Sequence, residues 1–147
     1  MLSYITVTPS IEQLSRIIGS VAAPAFLLGA VAAFMSLLNT RLDRVLDRSR
    51  TVHGISESDA ARAALRTDIP RLKRRAALLN QALYYSTVCA IITGLVIIVA
   101  FASAMMRLAH EYGVAVLFMA ALVFFILALI NLARETRIAL EEYDHMR

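Results

Sequence analysis

The sequence predicts an all-α membrane protein with three transmembrane helices, cytoplasmic helical extensions and assembly into a homo-oligomeric bundle. Hydrophobic residues make up 59% of the 147 residues, and the mean hydropathy is +0.67. A soluble domain of this length has too little interior to hide so much apolar surface. Three long stretches also lack ionisable side chains, and about 20 such residues suffice to cross the hydrocarbon core of a bilayer. We therefore treat 1–147 as a single membrane domain.

The first predicted span, residues 17–40, carries a row of small residues. Their spacing of three and four places them on one helical face, where they let another helix backbone approach closely. Two partners fit this row: spans two and three of the same chain, or other copies around a homo-oligomer axis. Leu28 and Val31, off the row, are expected to face lipid. The row consists of Ala22, Ala25, Gly29, Ala32 and Ser36.

Pro24 lies inside the same span. It removes the hydrogen bond that its nitrogen would donate to the carbonyl of Ser20, which predicts a bend near Gly19 and Ser20. The bend serves either packing or a gate. Together with the row, it defines a candidate pore-lining or helix-packing set: Ser20, Ala22, Pro24, Ala25, Gly29, Ala32 and Ser36.

Segment 41–81 is predicted to form a cytoplasmic helical hairpin. Its first arm continues span one without a break, because apolar residues recur at helical spacing while Arg41, Arg44 and Arg48 share another face. Gly54 marks the turn, and residues 59–67 are expected to form a short alanine-rich helix. The first arm's apolar stripe comprises Leu38, Leu42, Val45 and Leu46; the second arm's heptad-like stripe comprises Leu65, Ile69, Leu72, Ala76, Leu79 and Leu83.

Spans two and three are predicted at about 86–106 and 114–132, followed by a cytoplasmic tail at 133–147. The uncharged stretch 76–106 is longer than a bilayer needs, so its polar and tyrosine residues at 80–85 mark the membrane interface. Cys89 is the single cysteine, which excludes an internal disulfide and predicts a buried thiol. The expected packing face of the tail comprises Ala133, Thr136, Leu140 and Tyr143.

Basic residues predict the orientation. Segment 39–81 holds most of the chain's 15 Lys and Arg, whereas Arg107 is the only basic residue between spans two and three. Connections rich in Lys and Arg stay in the cytoplasm. We therefore expect the N-terminus outside the cell and the C-terminus in the cytoplasm.

Two polar groups are candidate sites at the cytoplasmic ends of the spans. The first would form a cytoplasmic mouth, with interface anchoring as the alternative: Asn39, Arg41, Asn80, Asn131, Arg134 and Glu135. The second would bind lipid headgroups or a protein partner: Arg71, Lys73, Arg74 and Arg75. This second group is otherwise expected to form exposed ion pairs, each contributing only about 0–1 kcal/mol, with the acids Glu135, Glu141, Glu142 and Asp144.

Catalytic motifs are missing from the sequence. It has no nucleophile elbow, zinc-protease helix or phosphate loop, and His53, His110 and His145 are far apart. We expect no enzyme activity, cofactor or metal. The basic loop lacks aromatic residues, which argues against nucleic acid. No ionisable residue lies at the centre of a span, which argues against a proton relay or an ion-coupled carrier.

Four segments resemble a known family: APAFLLGAVAAF, NTRLDRVLDRSR, RLKRRAALLNQAL and LARET. They are similar to those of small bacterial three-span membrane proteins, catalogued as a domain of unknown function (number 2721). The likeness covers most of the chain after residue 11. It implies a multi-pass location in a bacterial cytoplasmic (inner) membrane and brings no reaction, cofactor or catalytic residue.

These observations favour a small homo-oligomeric ion channel or pore. The alternative is a membrane scaffold or accessory subunit whose basic cytoplasmic helices bind a protein partner or anionic lipid. The expected partners are therefore the lipid bilayer, other copies of the chain and anionic lipid. A continuous polar axis in the assembly would distinguish the channel from the scaffold.

Overall fold

The computed structural model describes residues 10–54, 68–106 and 111–144, and it is all-helical within them. Helix α1 spans Ile11–His53, α2 spans Ile69–Met106 and α3 spans Glu111–Asp144. Each contains a stretch long and apolar enough to cross a membrane. Only 17%, 17% and 11% of those stretches are buried inside the chain, so most of their side chains face lipid or another protein. The predicted helix at 59–67 lies outside the described residues, as do Leu65, His110 and His145.

Helix α1 is continuous from before the first span to well past it. Ser10 caps it, accepting a hydrogen bond from the backbone N–H of Gln13 at 3.2 Å, while the Gln13 side chain accepts from the Ser10 N–H at 3.3 Å. The helix passes through Pro24 and ends where Gly54 N–H donates to the Arg50 carbonyl at 3.0 Å. Its 43 residues are about twice the number that crossing a bilayer requires. The predicted continuation past Thr40 is confirmed.

The buried residues recur at intervals of seven along all three helices. A seven-residue period keeps one seam facing its neighbours over a long distance, as in coiled coils. The heptad-like stripe of α2 is confirmed, because Leu72 and Leu79 are buried and Ile69, Ala76 and Leu83 pack against them. The seam comprises Pro24, Val31, Leu38, Val45 and Val52 on α1; Leu72, Leu79, Ala82, Ser86, Cys89, Thr93 and Val96 on α2; and Ala121, Ala128 and Glu135 on α3.

Helix α2 lies between the other two. Its backbone approaches both α1 and α3 closely, whereas α1 and α3 meet chiefly through long side chains. The rings of Phe34 and Phe125, for example, pack edge to face with centroids 5.5 Å apart. The wider separation between α1 and α3 leaves room for large polar side chains where the apolar parts of the helices end.

Three expected positions are corrected, one predicted to face lipid and two predicted to lie on a packing face. Val31 is fully buried against Cys89 and Ala121 rather than facing lipid, because it follows Pro24 by seven residues on the seam; Leu28 is exposed as expected. On α3, Ala133 and Leu140 are exposed, whereas Thr136 is half-buried as expected and the side chain of Tyr143 lies outside the described residues. Ala128, Asn131 and Glu135 are the buried residues of this part of the helix. A carboxylate holds a core position there because cations neutralise it. The expected burial of Cys89 is confirmed.

Candidate functional site

Glu135 is a buried carboxylate at the end of the apolar part of the bundle. It follows Ala128 by seven residues on the α3 seam, and only 1% of it is exposed. Removing a charge from water costs several kcal/mol unless partners and hydrogen bonds compensate it. The position therefore requires cations close to both carboxylate oxygens.

Arg41 on α1 and Arg75 on α2 supply those cations. Arg41 Nη1 donates to Glu135 Oε2 at 3.1 Å and to Thr136 Oγ1 at 3.2 Å. Arg75 donates through Nη2 and Nε to Glu135 Oε1 at 2.8 and 2.9 Å. Each oxygen thus has its own guanidinium, and one carboxylate connects all three helices. With two arginines and one glutamate, this triad (Arg41, Arg75 and Glu135) keeps a net positive charge.

A cavity of about 290 Å³ opens beside the triad. Two further arginines of α1, Arg44 and Arg48, lie one and two helical turns beyond Arg41 and contribute to its wall. Among the described residues, the lining therefore carries four guanidinium groups and one carboxylate. It consists of Arg41, Arg44, Val45, Arg48, Leu72, Arg75 and Glu135. We call this the arginine cavity.

The arginine cavity lies where the uncharged stretches of all three helices stop. Arg41 is the first charged residue after the apolar part of α1, and Arg75 is the last before that of α2. Arg134 and Glu135 are the first after that of α3. Because α2 runs antiparallel to its neighbours, these three ends meet at one side of the bundle.

The predicted cytoplasmic mouth comes together only in part. Arg41 and Glu135 are bonded, and Asn131 is buried, donating its side-chain N–H to the Leu127 carbonyl at 2.9 Å. Three other members are exposed, and among the described residues no hydrogen bond joins them to the triad: Asn39, Asn80 and Arg134. The six residues therefore do not form a single polar ring, because Asn39, Asn80 and Arg134 lie on outward faces of their helices.

The predicted headgroup cluster is divided between two environments. Arg71, Lys73 and Arg74 are exposed, whereas Arg75 turns inward to Glu135. The pairing of Arg75 with an acid of α3 was predicted, but the predicted pair was an exposed and weak one. That expectation is wrong for Glu135, because the seam buries its carboxylate.

The row of small residues on α1 faces away from the bundle. Ala25, Gly29, Ala32 and Ser36 are exposed, Ala22 is half-buried, and a Cβ added at Gly29 would meet no atom within 4 Å. Contact of this row with spans two and three is therefore wrong. The physical reason is that α1 offers the bundle its heptad face, whose larger side chains fill the space between helices.

Two members of the pore-lining set lie elsewhere on the helix. Pro24 is buried on the heptad face rather than on the row. Ser20 is exposed, and its hydroxyl donates to the carbonyl of Ile17 at 2.8 Å. Pro24 thus belongs to helix packing, and the Ser20 hydroxyl is occupied by its own helix.

Arg44 and Arg48 are the site residues that sequence reasoning did not assign to a site. The sequence did show that these two arginines share a helical face with Arg41. It did not show that α2 and α3 close a cavity over that face. Within the part of the chain that the structure describes, no group of His, Cys, Asp or Glu has the arrangement of a metal site.

Comparison with known proteins agrees with the three-helix membrane fold. A family model described as "Protein of unknown function (DUF2721)" matches residues 21–145, which include most of α1 and all of α2 and α3. No match was found among curated proteins or among solved structures. The chain is therefore a membrane protein with three transmembrane helices that belongs to the DUF2721 family.

Proposed function

We propose that the protein is a homo-oligomeric ion channel of the bacterial cytoplasmic membrane, whose copies meet through the small-residue row of α1. The observation that supports this is the exposure of Ala25, Gly29, Ala32 and Ser36 on a face that the bundle does not use. In lipid, helices associate through close packing and hydrogen bonds, which small residues allow. A face of this kind that no described helix of the same chain covers suits contact with another copy.

Three helices enclose no pore, but several copies arranged around an axis would place α1 at the centre. One edge of the row would then pack against the next copy, and the other edge would line the channel, where Ser36 would offer its hydroxyl to permeating ions. Arg41, Arg44 and Arg48 line the arginine cavity rather than the row, but they lie at one mouth of the channel, and their field would raise the local concentration of anions there. We expect anions to pass more readily than cations, and less selectively as salt rises, since exposed charges are screened beyond about 8 Å at physiological salt.

Current through purified protein in planar bilayers tests the channel. Ala25→Cys, Gly29→Cys and Ser36→Cys, each with Cys89→Ser, are expected to make the current sensitive to a water-soluble thiol reagent, because the row faces the pore. Ala30→Cys is the matched control, since Ala30 is also exposed but lies off the row. A current that the three row cysteines leave unchanged would discard α1 as the lining.

The proposed orientation places the basic connection in the cytoplasm. Ser56→Cys with Cys89→Ser is expected to resist an impermeant thiol reagent applied to intact cells and to react after the cells are opened. Thr8→Cys in the same background is expected to react from outside. Ready labelling of Ser56→Cys in intact cells would reverse the topology. Residues 8 and 56 lie outside the described part of the chain.

A scaffold that binds anionic lipid or a protein partner is the second candidate. Arg71, Lys73 and Arg74 favour it, because they are exposed while their neighbour Arg75 is engaged by Glu135. Each basic residue near an anionic membrane surface contributes roughly 1 kcal/mol of attraction. Absence of current over a range of voltage, tension and pH would favour this scaffold over the channel.

A further inference from the structure

We propose that the arginine cavity is a binding site for a phosphate group, presented by an anionic lipid headgroup. The site is distinct from the exposed residues Arg71, Lys73 and Arg74, and it does not depend on whether the protein conducts ions. Four features of the cavity support the proposal: its charge, the fixed positions of its arginines, its volume with its apolar lining, and its depth.

The described part of the lining carries more positive than negative charge. Among the described residues that line the cavity, four are arginines and one is a carboxylate, and the two oxygens of Glu135 are already used by Arg41 and Arg75. No carboxylate whose side chain the structure describes lies within ion-pair distance of Arg44. Arg44 therefore offers its guanidinium donors to the cavity or to water.

Glu135 also fixes the positions of two arginines before any ligand binds. By holding Arg41 and Arg75 in fixed positions, it removes part of the entropy that long side chains lose when they bind a ligand. A guanidinium presents its N–H groups as a planar fork that fits two phosphate oxygens at once. Groups already arranged in this way bind a phosphate with less loss of freedom than arginines on an open surface.

The volume and the apolar part of the lining fit a headgroup. The cavity measures about 290 Å³, at the lower limit of the roughly 300–1,000 Å³ typical of small-molecule sites. It therefore suits a phosphate with a short attached group. Val45 and Leu72 supply an apolar wall beside the arginines, which suits the carbon atoms of the group attached to the phosphate.

The depth of the cavity favours a lipid as the source of the phosphate. Arg41, Arg75 and Glu135 mark the level at which the apolar parts of the three helices end, and lipid phosphates lie at that boundary. Basic pockets between transmembrane helices on the cytoplasmic side bind anionic headgroups. Free phosphate shares the same chemistry, so the experiment must separate the two sources.

The test uses the full-length protein in a neutral detergent. Its thermal unfolding midpoint is followed during titration with dihexanoyl phosphatidic acid, dihexanoyl phosphatidylglycerol, dihexanoyl phosphatidylcholine or inorganic phosphate. The two anionic lipids are expected to raise the midpoint in a saturable manner, and the zwitterionic lipid is not. Arg44→Gln is expected to weaken the apparent affinity at least roughly tenfold, because it removes a charged hydrogen-bond donor from the phosphate.

Charge-matched variants distinguish the cavity from general attraction. Arg44→Gln/Arg48→Gln and Arg71→Gln/Arg74→Gln each remove two arginines, but only the first pair lines the cavity. The first is expected to abolish the saturable response, and the second to preserve it. Inorganic phosphate acting as strongly as the lipids would support a phosphate site and assign it to a soluble ligand. No saturable response to any anion, or equal losses in the two double variants, would overturn the proposal.

Discussion

Replacing Glu135 with alanine is expected to lower the free energy of unfolding by about 3 kcal/mol, the lower end of the range for breaking a buried ion pair. The change leaves the guanidinium groups of Arg41 and Arg75 facing each other without the carboxylate that neutralises them. Arg41 is 38% exposed and Arg75 is 17% exposed, so water recovers part of the loss. Chemical unfolding in detergent, followed by circular dichroism, measures the effect.

Asp47→Ala is the matched control for that prediction. Asp47 also pairs with an arginine, Arg50, at 3.8 Å, but both side chains are largely exposed. Such surface pairs contribute little, so this variant is expected to unfold like the unmodified protein. If Glu135→Ala is no less stable than Asp47→Ala, the triad does not hold the three helices together.

Placing leucine at Gly29 or Ala25 is expected to disrupt the oligomer and leave the fold of each copy intact. The added side chain prevents close approach of a second α1 helix, on which association in lipid depends. Within one copy it meets no obstacle, because a Cβ at Gly29 has no neighbour within 4 Å. Light scattering in detergent gives the particle mass, and circular dichroism gives the helix content.

Ala30→Leu provides the control for bulk alone. Ala30 is the next residue after Gly29 and is also exposed, but the helical rotation between them takes it off the row. It is expected to leave the particle mass unchanged. Two outcomes contradict the prediction: an unchanged mass for Gly29→Leu and Ala25→Leu, or a mass reduced equally by Ala30→Leu.

Helix positions and the seam of α2 were accessible from the sequence for a simple reason. Both depend on local periodicity: uncharged stretches long enough for a bilayer, and apolar residues at spacings of three and four. Leu72 and Leu79 are buried as that pattern predicts. The face of α1 was harder to assign, because almost every residue between 17 and 40 is apolar or small. A helix that is apolar all round does not reveal which side faces its neighbours.

The arginine cavity could be identified only from the tertiary structure. Arg41, Arg75 and Glu135 belong to three helices and are separated by long stretches of chain. In the sequence, Glu135 stands beside Arg134 in the segment LARET, and such a position predicts an exposed, solvated charge. It becomes buried only because α3 packs on α2 with Ala121, Ala128 and Glu135 along one seam, where the guanidinium groups of two other helices meet it.

The sequence by itself determined that this is a three-span helical membrane protein, because hydrophobic length and charge distribution are properties of each segment alone. The tertiary structure decided which face of each helix is turned inward. It directed the heptad face of α1 to the bundle, left the small-residue row outside and converted scattered arginines into the lining of one cavity. That choice depends on how side chains of different helices fill the space between them, and this complementarity is set only when the helices pack.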